Sequence, residues 1–173
     1  MKTLIFALLL LPALAFGQTS NFHLSEGVMQ YRNIFTYDSL NVDNLESRLK
    51  ASLPVVYGLS NIQFESGLIR GDIKALTANY KQYGATWAGS WLMLGYPMDG
   101  KFLIEIKDGK YRLTVTDLSL KGPQYPVNLA NSVTKRNATE FTSNRVLLEA
   151  LEYINKDFTD RFAIPKTQAK SDW

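Results

Sequence analysis

The stretch from Lys101 to Leu120, KFLIEIKDGKYRLTVTDLSL, constrains the fold more than any other part of the chain. Asp108-Gly109 is a two-residue hairpin signal, of the kind that forms a type I′ turn with φ > 0 at both positions. With that loop Lys107 faces Lys110, and counting outward pairs Ile106 with Tyr111, Ile104 with Leu113 and Phe102 with Val115. Strand side chains alternate with period 2, so these six apolar residues share one sheet face. The opposite face pairs Glu105 with Arg112 and Leu103 with Thr114. A one-residue slip would turn the apolar row into water, so the register is strongly specified. After Val115 the apolar parity changes, because Leu118 and Leu120 are even-numbered; a bulge or strand end is expected near Thr116-Asp117.

The first residues, MKTLIFALLLLPALAFGQ, read as a secretory signal peptide. Lys2 supplies the positive start, Leu4 to Leu14 a short apolar core, and Ala15-Phe16-Gly17 small residues for cleavage before Gln18. The apolar run is too short for a convincing span, so no transmembrane segment is expected after cleavage. The chain has no cysteine, which excludes disulfides, thiol chemistry and a lipid-anchored cysteine at the cleavage site. The expected location is the periplasm or outside the cell. A mature chain of roughly 155 residues can bury a sizeable core as one domain. Of 19 basic residues one, Lys2, lies in the leader; the remaining 18 against 16 acidic ones leave little net charge. That balance, with positive charges scattered along the sequence, gives no nucleic-acid or anionic-membrane footprint.

Residues 18–26 read as a flexible polar leader, 27–163 as a single domain and 164–173 as a polar tail after Pro165. Val28 to Tyr37 reads as a first strand, and Asn41 as the cap of a helix from Val42 to Leu53, closed by Pro54. Val42, Leu45, Leu49 and Leu53 make its apolar face. Ile62 to Ile73 is a second hairpin with Ser66-Gly67 as its loop, pairing Phe64 with Ile69 and Ile62 with Gly71. Gly122 to Asn137 reads as a loop with two prolines. Thr142 or Ser143 caps a last helix, Asn144 to about Phe162, striped by Leu147, Leu151, Ile154, Phe158 and Phe162. Glu152–Lys156 and Asp157–Arg161 have favourable i,i+4 spacing. The order strand, helix, hairpin, hairpin, helix makes an α+β two-layer sandwich: a mainly antiparallel sheet of about five strands with two helices on one face. The other face is left open or covered by the segment Tyr80 to Tyr96.

That order, together with IEIKDGKYRLTVTDLSL, resembles a domain-of-unknown-function family of exported Bacteroidetes proteins with a TBP-like fold. The residues that carry the resemblance are Lys107, Asp108, Gly109, Lys110, Tyr111, Arg112 and Asp117, within a match from roughly Gly27 to Leu120. Tyr80 to Tyr96 departs from the family pattern in being longer and more aromatic. The resemblance implies topology and no established activity, so no catalytic residue carries over, and topology does not imply DNA binding.

Chemistry has few candidates. His23, the only histidine, precedes the first strand and reads as a solvated leader residue. There is no GxSxG, HExxH, phosphate-binding glycine loop or EF-hand loop, and no cofactor or metal site is expected. Glu105 and Asp117 are the acids a glycan hydrolase would need, but Glu105 faces Arg112 and reads as an ion pair; Asp157 and Asp160 read as helix-surface acids. Tyr80, Tyr83, Trp87, Trp91 and Tyr96 crowd into one segment and form the candidate ligand or partner surface, or else cover the sheet as core. Asp38-Ser39-Leu40 resembles a short Bacteroidetes O-glycosylation acceptor, and Asn137-Ala138-Thr139 is an N-glycosylation sequon. The expectation is an exported, non-catalytic envelope protein that binds a protein or small ligand and no nucleic acid. The alternatives are a carboxylate-dependent glycan hydrolase and an inhibitor or immunity-type protein.

Overall fold

The computed structural model describes residues 21–25, 27–86, 91–136 and 139–165. The central hairpin has the expected register. Strand β5 (Met98–Lys107) and β6 (Lys110–Lys121) pair Lys107 with Lys110, Ile106 with Tyr111, Ile104 with Leu113 and Phe102 with Val115. The register shifts between Asp99 and Lys101, opposite Asp117, whose φ is +56°, and Leu118 and Leu120 return to the core face. That is the expected bulge. The turn itself differs: φ is positive at Gly109 alone, so the loop is not type I′. Its backbone is held from outside, since Gly109 N–H donates to Leu40 O (2.9 Å) and Tyr37 N–H donates to Gly109 O (2.6 Å).

Around this hairpin lie β1 (Phe22–Ser25), β2 (Val28–Thr36), β3 (Leu59–Glu65), β4 (Leu68–Leu76) and β7 (Pro126–Asn128). They form one antiparallel sheet of order β1-β2-β6-β5-β4-β3, with β7 paired to the end of β6. Among the described residues the sheet therefore has seven strands where about five were expected. Residues 22–25, expected to be a loose leader, form β1 because Phe22 is buried edge-on against Tyr31 at 5.3 Å, and Gly27 takes φ +78° in the turn before Val28. The expected 122–137 loop contains β7 and a short helix α2 (Leu129–Val133), capped by the Asn128 side chain. In the second hairpin Phe64 pairs with Ile69 as expected, but Ile62 does not pair with Gly71. A bulge at Asn61 (φ +52°) makes Ser60 the partner of Asp72.

Helix α1 (Val42–Ser52) starts at Asn41, whose side chain accepts from Asn44 N–H, and buries Leu45 and Leu49. Helix α3 (Arg145–Phe162) is capped by Asn144 rather than Thr142 or Ser143; the Thr142 hydroxyl accepts from Asn144 N–H instead. Leu151, Ile154, Phe158 and Phe162 are buried, and Leu147 is half-buried. Asp157–Arg161 forms the expected ion pair at 2.6 Å, whereas Lys156 lies over the Tyr153 ring instead of pairing with Glu152.

Both long helices cover one face of the sheet. Phe158 meets Tyr31 and Phe162 meets Phe102 edge-on, while Leu45, Leu49 and Leu53 join the same core. Three phenols pin α3 and its end to the sheet. Tyr31 OH and Thr159 Oγ1 are 3.1 Å apart, Tyr111 OH donates to Phe162 O (2.5 Å), and Ile164 N–H donates to Tyr37 OH (2.9 Å). Ile164, expected to start a frayed tail, is thereby buried. The segment after β4 runs on the helix side too: Ala78 and Leu94 are core, and Asn79 N–H donates to the buried Asp157 carboxylate of α3. The described residues of the aromatic segment pack on the helix side, and among the described residues no outward side chain of β2, β4, β5 or β6 on the second face is buried.

Candidate interaction face

The open face is built by strand alternation. Where β2, β6, β5 and β4 send Tyr31, Leu113, Ile104 and Ile69 inward, the alternate residues point outward, and none of them is buried. Cross-strand pairing sets these outward residues in rows. Ile34, Arg112, Glu105, Leu68 and Glu65 form one; Arg32, Thr114, Leu103, Arg70 and Gln63 the next; Thr116, Lys101, Asp72 and Ser60 a third. An antiparallel sheet tolerates such a half-solvated arrangement when the exposed row is polar.

Charge is unevenly placed on this face. Its outward cations are Arg32 on β2; Lys110, Arg112 and Lys121 on β6; Lys101 and Lys107 on β5; and Arg70 and Lys74 on β4. Its outward acids are Glu65, Asp72, Asp99 and Glu105. Eight basic residues therefore face four acidic ones here, while the other described residues hold eight basic against ten acidic. The charges scattered along the sequence are gathered by period-2 alternation.

Four cations are engaged: Arg112 with Glu105 (2.6 Å), Arg70 with Glu65 and with Gln63 (3.0 Å), Lys121 with Asp99 (2.9 Å), and Arg32 with Gln30 Oε1 (3.1 Å). Burial pushes the Asp99 carboxyl up, but the Ala75 N–H at 2.8 Å and the Lys121 ammonium outweigh it and hold it below its usual value. Lys101, Lys107 and Lys110 have no carboxylate partner among the described residues.

At the β3–β4–β5 end the bulge at Asn61 opens a depression of about 550 Å³. Arg70, Lys101, Asp72, Asn61 and Gln63 line it, with Gly71 beneath. Asn61 Nδ2 donates to Asp72 Oδ2 at 2.6 Å, which orients both. Gly71 is required by packing: a Cβ there would lie 2.6 Å from the Phe102 ring. A smaller recess of about 190 Å³ sits at the other end, between exposed Ile34 and the Lys107, Lys110 and Arg112 side chains.

The described residues of the aromatic group singled out from the sequence lie elsewhere. Tyr80, Trp91 and Tyr96 are half-buried against the core. The Tyr83 hydroxyl donates to Asp160 Oδ2 at 2.7 Å; burial and the Asp160 carboxylate push that phenol up. Trp87 lies outside the described residues, as do the signal peptide and Asn137. A recess of about 300 Å³ joins Tyr96 to the exposed Tyr125. A larger groove, about 510 Å³, lies on the helix side between Val55 of the α1–β3 connection and Ile164. His23 is half-buried on β1 rather than in a loose leader, and Ser39 is exposed in the turn after β2. An open second face was one of the two arrangements expected; the missed feature was the gathering of basic residues on it, whose only sequence signal was the outward set of each strand.

No protein-family model matches the chain, and no curated protein matches it. Among solved structures, a TBP-like protein from Parabacteroides distasonis superposes with a TM-score of 0.54 at 14% identity, over 81% of this chain and 94% of that one. A DUF4468 family protein from Bacteroides ovatus gives a TM-score of 0.48 at 11% identity, over 86% and 94%. At 14% identity the likeness to the Parabacteroides protein concerns fold alone, and it agrees with the resemblance carried by the KDGKYR hairpin: this chain has an α+β, TBP-like fold.

Proposed function

We propose that this chain is an exported, non-catalytic binding module that engages its partner through the open sheet face. The observation that carries the reading is one-sidedness. Both long helices and the described residues of the aromatic segment pack on the same face, and the other keeps a broad polar surface with a ligand-sized depression. Support for a non-catalytic role comes from the acids. Glu105 is held by Arg112, Asp99 by Lys121, Asp157 by Arg161 and Asp160 by Tyr83, so each already carries a fold contact. The signal-like leader supports export.

The test is site-specific photocrosslinking in the producing cell, with a benzophenone amino acid at Leu103 or Thr116 on the open face and at Val146 or Tyr125 elsewhere. Adducts from Leu103 and Thr116 are expected. Adducts confined to Val146 or Tyr125 would refute the reading. Intact mass of the protein from the envelope fraction checks export, with Gln18 expected as the first residue.

A further inference from the structure

We infer that the open face, centred on the depression between β3, β4 and β5, takes an acidic polysaccharide, a sugar chain bearing carboxylates. The inference rests on the open face being the working surface. Charge complementarity is the first argument. The face carries twice as many basic as acidic residues, the rest of the described chain carries more acidic than basic ones, and Lys101 stands in the depression with no carboxylate partner among the described residues. A polyanion approaching this protein meets attraction on one side only.

The second argument separates carboxylated sugars from other polyanions. Hydrogen-bond acceptors stand between the cations: Asp72 and Gln63 in the depression, Glu105 and Thr114 beside it. A ligand with hydroxyl donors as well as anionic groups satisfies both sets. A nucleic-acid backbone carries about one charge per 1.7 Å of duplex and would press its phosphates against those carboxylates. Single-stranded nucleic acid needs aromatic platforms for its bases, and no outward position of β2 to β6 is aromatic. The same absence disfavours neutral sugars, which rely on stacking against rings. A protein partner is disfavoured because the face has no aromatic anchor for an interface hot spot.

The probe is a set of alginate oligosaccharides, titrated calorimetrically into the mature protein, with neutral mannan oligosaccharides and mixed-sequence duplex DNA as comparisons. Alginate is expected to bind, and raising salt from about 0.1 M to about 1 M weakens it, because the Debye length falls from about 10 to about 3 Å. Lys101→Ala is expected to weaken binding about fivefold. Lys101→Glu weakens it further, Lys101→Arg retains it, and Arg145→Ala on α3 leaves it unchanged. Urea midpoints of all variants confirm that they are folded. Absence of alginate binding by the folded protein, equal binding of mannan, tighter binding of DNA, or unchanged affinity in Lys101→Glu would each overturn the inference. Failure here with crosslinks from Leu103 and Thr116 removes the ligand class only; crosslinks confined to Val146 or Tyr125 remove both.

Discussion

Tyr111→Phe tests how α3 is fastened to the sheet. The Tyr111 hydroxyl donates 2.5 Å to the carbonyl of Phe162, in the last turn of α3, where carbonyls have no donor from their own helix. Tyr111 is 1% exposed, and its ring stacks on Phe35 at 4.8 Å and Tyr37 at 5.8 Å. Phenylalanine keeps the ring, so the packing loss is small and the change isolates the hydroxyl. Losing a net hydrogen bond and leaving a buried acceptor unpaired costs about 1–3 kcal/mol, with about 2 kcal/mol the central expectation. For a domain of about 150 residues that lowers the melting temperature by about 4–8 °C. Urea unfolding should show a lower midpoint with an unchanged slope.

The same residue gives a pH signature. Burial chiefly, with the Tyr37 phenol beside it, raises the Tyr111 phenol above its ordinary value of 10.0. Above pH 10 the unfolded chain releases this proton while the folded chain keeps it. The wild type therefore has the full contribution below pH 10 and loses it as pH rises. Phenylalanine has nothing to release. Tyr31 and Tyr83, also raised by burial, are present in both proteins and cancel in the difference. The stability gap between wild type and Tyr111→Phe should be flat below pH 10 and shrink above it. A gap under about 0.5 kcal/mol at neutral pH, or one that grows with alkalinity, would refute the assignment.

Gly71→Ala places a methyl 2.6 Å from the Phe102 ring and 3.0 Å from Ser60 O, and should lower stability by about 1–3 kcal/mol in urea; an unchanged midpoint would mean the ring yields freely. Asp157→Ala removes the 2%-exposed carboxylate that accepts from Asn79 N–H and Arg161; a loss of about 2–4 kcal/mol with faster amide exchange over residues 77–86 is expected, and slow exchange there would contradict the latch. Trp91→Ala should cost about 2 kcal/mol, below the 3–5 of a fully buried ring, and leave alginate affinity intact. Retained stability with lost binding would return the aromatic segment to the working surface.

Parity made the central hairpin legible. Three apolar residues on either side of a two-residue loop, all on one sheet face, admit one register, and the parity change after Val115 located the bulge. The turn type was not legible, because what decides it is the docking of Gly109 onto Tyr37 and Leu40, residues about seventy positions earlier. β1 was hidden by its polar surroundings: only Phe22 and Leu24 mark it, and Phe22 is buried by Tyr31 rather than by local pattern. The aromatic segment shows the limit of composition. Its rings signal burial or binding equally well, and the choice was made by Asp157 and Asp160 of α3, which draw residues 79–83 to the helix side.

The open face needs an explanation beyond solubility. A solvated sheet needs polar outward residues, and its edges need protection from pairing with other chains. Both are met without a charge imbalance: edge strand β1 has four residues, edge strand β3 is broken by the Asn61 bulge, and Thr114, Thr116 and Gln63 are polar and neutral. Soluble surfaces are served best by interspersed signs. On this face the signs are interspersed where Glu65, Glu105 and Asp99 meet Arg70, Arg112 and Lys121, and there the cations are satisfied. Lys101, Lys107 and Lys110 lie outside that pattern, on two neighbouring strands, without partners among the described residues. Neither the fold nor solubility requires those three, so they are the residues whose presence a bound anion would account for.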